Sequence, residues 1–239
     1  EVEAGTNDIA DILSADDIAA GGTFQNGLYQ KSFTLGQDGT PNKGAYKTAL
    51  DFFADVDTVD VNLLYAESGQ FNDSGDVFKQ DLDTDVATLA FTRKDCVAFI
   101  SQPSNASGNA VEKETTEANK LAKITDGTTG YASKIVTALG NTIGSYAVVD
   151  STPVYVYNKY ADNYVYIPAA GHIAGLCAAT DASNDPWFSP AGFNRGNLRG
   201  VIKLAFNPNQ SSRDSLYKAN VNPLVTFPGQ STNINSIES

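Results

Sequence analysis

The chain has 239 residues, with 28 acidic against 16 basic and a net charge of −12. That balance argues against a nucleic-acid groove, which must neutralise phosphates, and against an anionic lipid surface. With 41% hydrophobic and 18% charged residues, the composition is that of a globular chain. A chain of this length buries roughly 70–75% of its unfolded surface, enough for one large core or two small ones. The excess of acid serves solubility; its sharper reading is acidic faces meeting basic faces on identical neighbours.

No apolar stretch approaches the ~18 residues of a membrane span, and no basic segment leads into an apolar core at Glu1, so neither a span nor a signal peptide is expected. The chain opens at Glu1 and holds no methionine, which reads as a fragment or processed product. Cys96 and Cys177 each sit in an apolar run, KDCVAFI and AGLCAAT, and are expected as buried free thiols of a reducing compartment.

Residues 1–40 form an acidic Ala/Gly/Asp-rich segment, in which Ser14–Asp17 has a helix-start pattern and Leu28–Leu35 a strand pattern. Asn42–Ala54 reads as a helix with Tyr46, Leu50 and Phe53 on one face. A strand follows, with Val59, Val61 and Leu63 alternating with Asp60 and Asn62. Asp76–Leu89 reads as helix and Cys96–Ile100 as a strand covered on both faces. Helix, strand, helix, strand is the order of a parallel α/β layer.

Ser101–Gly108 reads as a loop, and Val111–Leu139 as helix in two pieces broken at Asp126–Gly130. Tyr146–Val149, Val154–Tyr157 and Tyr164–Ile167 read as strands, the last two a hairpin turning at Asp162-Asn163. Pro168 opens a small-residue helix over Ala169–Thr180. Asp181–Arg199 is an irregular loop, Val201–Phe206 a strand, Ser211–Ala219 a helix capped by Ser211 or Ser212, and Leu224–Phe227 a last strand.

Chemistry-bearing patterns are weak. His172 is the single histidine, with no nucleophile or orienting carboxylate near it in sequence. The acidic run Phe71–Asp85 holds Asp73, Asp76, Asp81, Asp83 and Asp85 but lacks calcium-loop spacing and a closing Glu, so it reads as a solvated loop and an acidic helix start. No G-x-S-x-G elbow and no phosphate loop is present. Distant carboxylate pairs of a glycoside hydrolase leave no specific mark among 28 acids. Tyr146, Tyr155, Tyr157, Tyr160, Tyr164 and Tyr166 cluster, as cross-strand packing or as a ligand face.

The segment Pro186–Gln230 is more specific: PWFSPAGFNRG, then VIKLAFN, then a helix carrying Arg213, Asp214, Leu216 and Tyr217, then NVNPLVTFPG. It resembles the sheath subunit of contractile phage tails. IPAAGHIAGLCAATD, Ile167–Asp181, and ALDFFADVDTVDVNLL, Ala49–Leu64, are similar to the same family in T4-like myophages. The resemblance implies an α/β core, a mixed β-sheet flanked by helices, with residues 41–230 as the sheath core domain and 231–239 as a tail outside the family pattern. It implies a non-enzymatic structural subunit of the virion tail, assembled in the host cytoplasm. Such subunits form stacked hexameric rings around an inner tube, and contraction, signalled from a baseplate, drives the tube through the host envelope.

Partners implied are the chain itself, the tube and baseplate proteins, with no cofactor, metal or nucleotide. The family's opening strand and tube-facing C-terminal domain are not matched, so this chain is expected to hold a core fold without polymerising into a contractile sheath.

Within the matched loop, Trp187 and Phe188 are expected to anchor it against the core, with Pro186 and Pro190 fixing its path. Gly192 and Gly196 are expected to supply positive φ or close approach. Arg195, Arg199 and Arg213, with Asp214, are the charges expected at an interface, and Trp187→Ala would cost about 3–5 kcal/mol if that ring is buried. The alternative function is an acidic adhesion or surface-interaction module with a tyrosine-rich ligand face; a hydrolase using distant carboxylates stands behind it.

Overall fold

The computed structural model describes residues 23–25, 28–30, 43–66, 75–104, 110–128, 130–185, 187–192, 195–227 and 232–234. The chain divides into two units, Glu1–Pro41 and Asn42–Ser239. In the first, β1 (Thr23–Gln25) and β2 (Leu28–Gln30) pair antiparallel, Phe24 opposite Tyr29. The helix start at Ser14–Asp17 and the rest of the strand expected to Leu35 lie outside the described residues.

The second unit begins with α1 (Lys43–Asp51), β3 (Leu63–Tyr65), α2 (Gly75–Arg93) and β4 (Val97–Ile100). A short 3-10 turn, α3 (Glu117–Thr125), α4 (Tyr131–Ile143) and β5 (Ala147–Val149) follow. The strands β3, β4 and β5 form a parallel sheet with β4 central, Leu64 opposite Ala98 and Phe99 opposite Val148. Helices lie between successive strands, as parallel pairing requires.

β4 decides how the sheet is covered. Ala98 and Ile100 point into one apolar cluster with Leu82, Val86 and Ala90 of α2 and Tyr131, Ile135 and Leu139 of α4. Phe99 points into a second cluster with Val148, Ala170, Ile173 and Ala174. This is the period-2 alternation of a strand buried on both faces, and it explains why CVAFI is apolar without a break.

The second cluster is closed by α5 (Ala170–Ser183) and by an antiparallel sheet of β6 (Val154–Asn158), β7 (Asn163–Ile167) and β8 (Val201–Leu204) in the order β7-β6-β8. α6 (Gln210–Lys218), β9 (Leu224–Thr226) and β10 (Thr232–Ile234) complete the chain, with β9 and β10 antiparallel. Parallel and antiparallel pairing thus occur in separate sheets with helices against them. Ala205, Phe206, Leu216 and Val221 return to the first cluster, and Asn222 bridges to Asp150 beyond the end of β5.

Two expectations are corrected. Val59–Val61 is outside the ladder: residues 59–62 alternate half-buried and exposed, but bonding to β4 begins only at the Asn62 carbonyl, which accepts the Val97 N–H at 3.0 Å, with the strand itself starting at Leu63. The reason is that the Val59 carbonyl accepts from Arg93 Nη2 at 2.7 Å instead of from a strand. The cap of α6 is Asn209, whose side chain accepts the Ser212 N–H at 2.9 Å, rather than Ser211 or Ser212. The break between α3 and α4 falls at Asp126–Gly130 as the composition predicts, and Asp162 (φ 49°) makes the hairpin turn.

Candidate functional site

The matched loop is built from small contacts. Ala191 and Leu198, 6% and 3% exposed, enter the second apolar cluster and hold it. Gly192 has φ 116°, a region that disfavours any side chain, and its carbonyl accepts from Arg195 N–H at 3.2 Å and Gly196 N–H at 2.7 Å. Gly196 is buried, and the second positive-φ glycine here is Gly200 (φ 78°). Arg195 folds back: its guanidinium lies 4.4 Å over the half-buried Phe188 ring and its Nε donates to the Ala191 carbonyl at 3.3 Å. Pro190 is half-buried and Pro186 lies outside the described residues.

Trp187 is the correction. It is 80% exposed and touches Phe188 edge-on at 5.9 Å, so it does not anchor the loop. Trp187→Ala is expected to change stability by no more than about 0.5 kcal/mol. As the single tryptophan, it should also emit in the native chain as indole in water does. Urea denaturation followed by circular dichroism, with native fluorescence alongside, checks both; a blue-shifted native emission would show a buried ring.

Arg195 and Arg199 border one groove. With His172, Gly175, Leu176 and Ala179 of α5 they line an open groove of about 670 Å³. Arg213 and Asp214 are placed elsewhere: Arg213 Nη1 donates to the Pro208 carbonyl at 3.4 Å and its guanidinium is 5.9 Å over Phe227, while Asp214 is exposed on α6. His172 is half-buried and burial lowers its pKa, so it is neutral near pH 7. Burial also raises both free thiols, Cys96 in direction and Cys177 to about 11, so neither is a thiolate nucleophile. Among the described residues no group of three or more His, Cys, Asp or Glu could hold a metal. No described helix is long and apolar enough to cross a membrane.

Two polar constructions escaped the sequence. Arg93, at the end of α2, is buried and clamps the segment after α1. Its Nη1 donates to the Phe53 carbonyl and, at 3.5 Å, to that of Asp55; its Nη2 donates to Val59, and Nε and Nη2 pair with Asp95 at 2.9 and 2.8 Å. That pairing, mainly the hydrogen bond, lowers the Asp95 pKa. No side-chain pattern marks backbone carbonyls as partners, so the clamp is invisible in sequence.

The second is Lys79 and Asp83, both 2% exposed at the side chain, with Nζ 2.9 and 3.1 Å from the carboxylate oxygens. Tyr131 donates its hydroxyl to the same carboxylate at 2.7 Å. Burial raises the Asp83 pKa, against the opposing pull of Lys79. Asp83 therefore corrects the reading of Phe71–Asp85 as solvated.

The tyrosines form a ladder on the antiparallel sheet. Tyr155 contacts Tyr164 at 5.6 Å and Tyr166 at 4.7 Å, with Lys203 4.6 Å over Tyr155. These are cross-strand packing pairs, although Tyr160 is 89% exposed.

Residues 43–235 match the family of the phage tail sheath protein central domain. The chain belongs to the phage tail sheath family. It is 37% identical over 218 residues to the tail sheath protein of Vibrio phage KVP40, covering 89% of this chain and 31% of that protein. To the tail sheath protein of Enterobacteria phage T4 it is 32% identical over 209 residues, covering 85% of this chain and 30% of that protein. It thus spans about a third of the length of these curated sheath relatives. The fold recurs in solved structures at 14% identity. A chain of the anti-feeding prophage baseplate matches 84% of this chain and 43% of its own, with TM-score 0.56. A chain of that particle's contracted helical sheath matches 84% and 44%, with TM-score 0.54.

Proposed function

We propose that this chain is the α/β core of a contractile tail sheath subunit, a non-enzymatic tile of the virion tail. In the intact protein, copies would stack as hexameric rings around an inner tube, assembled in the host cytoplasm, and shorten on a baseplate signal to drive the tube through the host envelope. The family match over residues 43–235 carries the reading, and likeness in fold to a contracted-sheath chain and a baseplate chain supports it. The loop from Trp187 to Arg199 and the charges Arg213 and Asp214 are proposed as surfaces where subunits meet, residues 41–230 as the sheath core domain, and the segments before and after it as additions to it. Mechanically, a chain with a continuous two-cluster interior is stiff, so rearrangement falls on contacts between copies rather than within one.

The test is immunogold negative-stain electron microscopy of native-source particles with an antibody against this chain. Label repeating along a striated tail is the expected result. Label confined to a cell surface would overturn it in favour of an adhesion module using the tyrosine face.

A further inference from the structure

We infer, resting on the sheath reading, that copies of this chain dock head to tail. An acidic and aromatic knob at residues 51–60 of one copy enters the arginine-lined groove beside α5 of the next.

The knob is apolar where a free surface should not be. Phe52 is 75% exposed, Phe53 40% and Val56 47%, a cluster of the kind that marks a contact site. Asp55, Asp57 and Asp60 surround it, all exposed. None of the three has a basic partner among the described residues. The knob is preformed: Arg93 holds the Phe53, Asp55 and Val59 carbonyls, and the Asp55 carboxylate accepts from Asp57 N–H at 3.0 Å and Thr58 Oγ1 at 2.9 Å. Little conformational entropy is left to lose on docking.

The groove has the opposite character. Arg195 and Arg199 stand at its edge, both exposed, and neither is paired with a carboxylate among the described residues. In a chain of net charge −12, two arginines without a carboxylate partner among the described residues, beside a cavity of about 670 Å³, are matched to an acidic ligand with an apolar centre. Its floor is low: a side chain built at Gly175 meets no atom within 4 Å.

The placement in the fold makes the contact intermolecular. α1, which leads into the knob, packs on α2, and α2 covers the Ala98 face of β4; α5 covers the Phe99 face. Knob and groove of one copy thus lie on opposite sides of the parallel sheet. A contact using two different patches is heterologous, and its repetition yields a ring or an open helix.

Sedimentation velocity of the 239-residue chain over a concentration series, at low and high salt, tests this. The unmodified chain is expected to grow in mass with concentration, by weak self-association short of a contractile sheath, and to dissociate with salt. Reversal at the groove (Arg195→Glu with Arg199→Glu) or at the knob (Asp57→Arg with Asp60→Arg) should weaken association about tenfold or more. Mixing the two reversed chains should restore it, since each then meets its opposite charge. Gly175→Trp, which fills the groove without changing charge, should also weaken it while the melting curve stays that of a folded chain.

An unmodified chain that stays monomeric in low salt overturns the proposal. So does a folded pair of reversed chains that fails to associate on mixing, or a folded Gly175→Trp chain that associates normally. Failure of the tail labelling with these reversals behaving as expected would remove the sheath reading and leave the contact; tail labelling with inert reversals would remove the contact alone.

Discussion

Asp83→Ala is expected to destabilise the fold by about 3–5 kcal/mol, because it leaves the Lys79 ammonium in the interior without its carboxylate. Tyr131 loses the acceptor of its hydroxyl in the same step. Asp83→Asn, an isostere of the neutral acid that keeps a hydrogen-bonding group in place, should cost less. Removing both charges together, as Lys79→Met with Asp83→Leu, should recover most of the loss or exceed the starting stability, since desolvation of both ions is then avoided. The pH dependence has a definite sign. Burial raises the Asp83 pKa above its ordinary 3.8, so the folded state holds the proton more tightly than the unfolded chain. The stability contributed is full below that ordinary value and is lost as pH rises through the folded one. Urea titrations of the four chains across the acid range measure all of this. An alanine variant within ~1 kcal/mol of the parent, or a double variant no better than the single, would show that the pair is solvated in solution.

Phe206→Ala is expected to cost about 3–5 kcal/mol as well. The ring is 0% exposed and its N–H donates to Thr152 Oγ1 at 3.0 Å. Phe206 lies in the segment just after the motif loop, yet fills the same cluster as α2 and α4. The loss should therefore appear as one cooperative transition shifted to lower denaturant, for residues 43–227 as a whole. Two separate transitions, with only the later part of the chain weakened, would refute a shared core.

The layers were legible because their cause is local. The unbroken apolar run of β4, the Gly and Asp between α3 and α4, and the turn at Asp162 each express a backbone or burial demand at the residues themselves. What escaped is set by distant partners. Lys79 and Asp83 are spaced like an ordinary solvent-facing helix pair, and only α4, bringing Tyr131 across, reveals that they are interior. Arg93 reads as a terminal helix cation, while its ligands are carbonyls of residues 53–59.

Trp187 misled in the other direction: a large aromatic flanked by prolines reads as an anchor, whereas small Ala191 and Leu198 hold the loop. Asn209 is hard to single out in sequence because Ser211 and Ser212 also fit the capping pattern. Of the candidate interface residues, Arg195 and Arg199 share a groove through the tight turn at Gly192, and Arg213 and Asp214 lie apart on α6.

The return of Phe206, Leu216 and Val221 to the first cluster has a consequence for synthesis. The parallel strands require helical crossovers before they can pair, and the longer one runs from Ser101 to Tyr146. Non-local closure of this kind is slow. Even then, the cluster lacks its last side chains until residue 221 has been made. A ribosome-bound chain ending short of that point carries α2 and α4 with an open apolar face. Until residue 221 has emerged, that apolar face is exposed to aggregation.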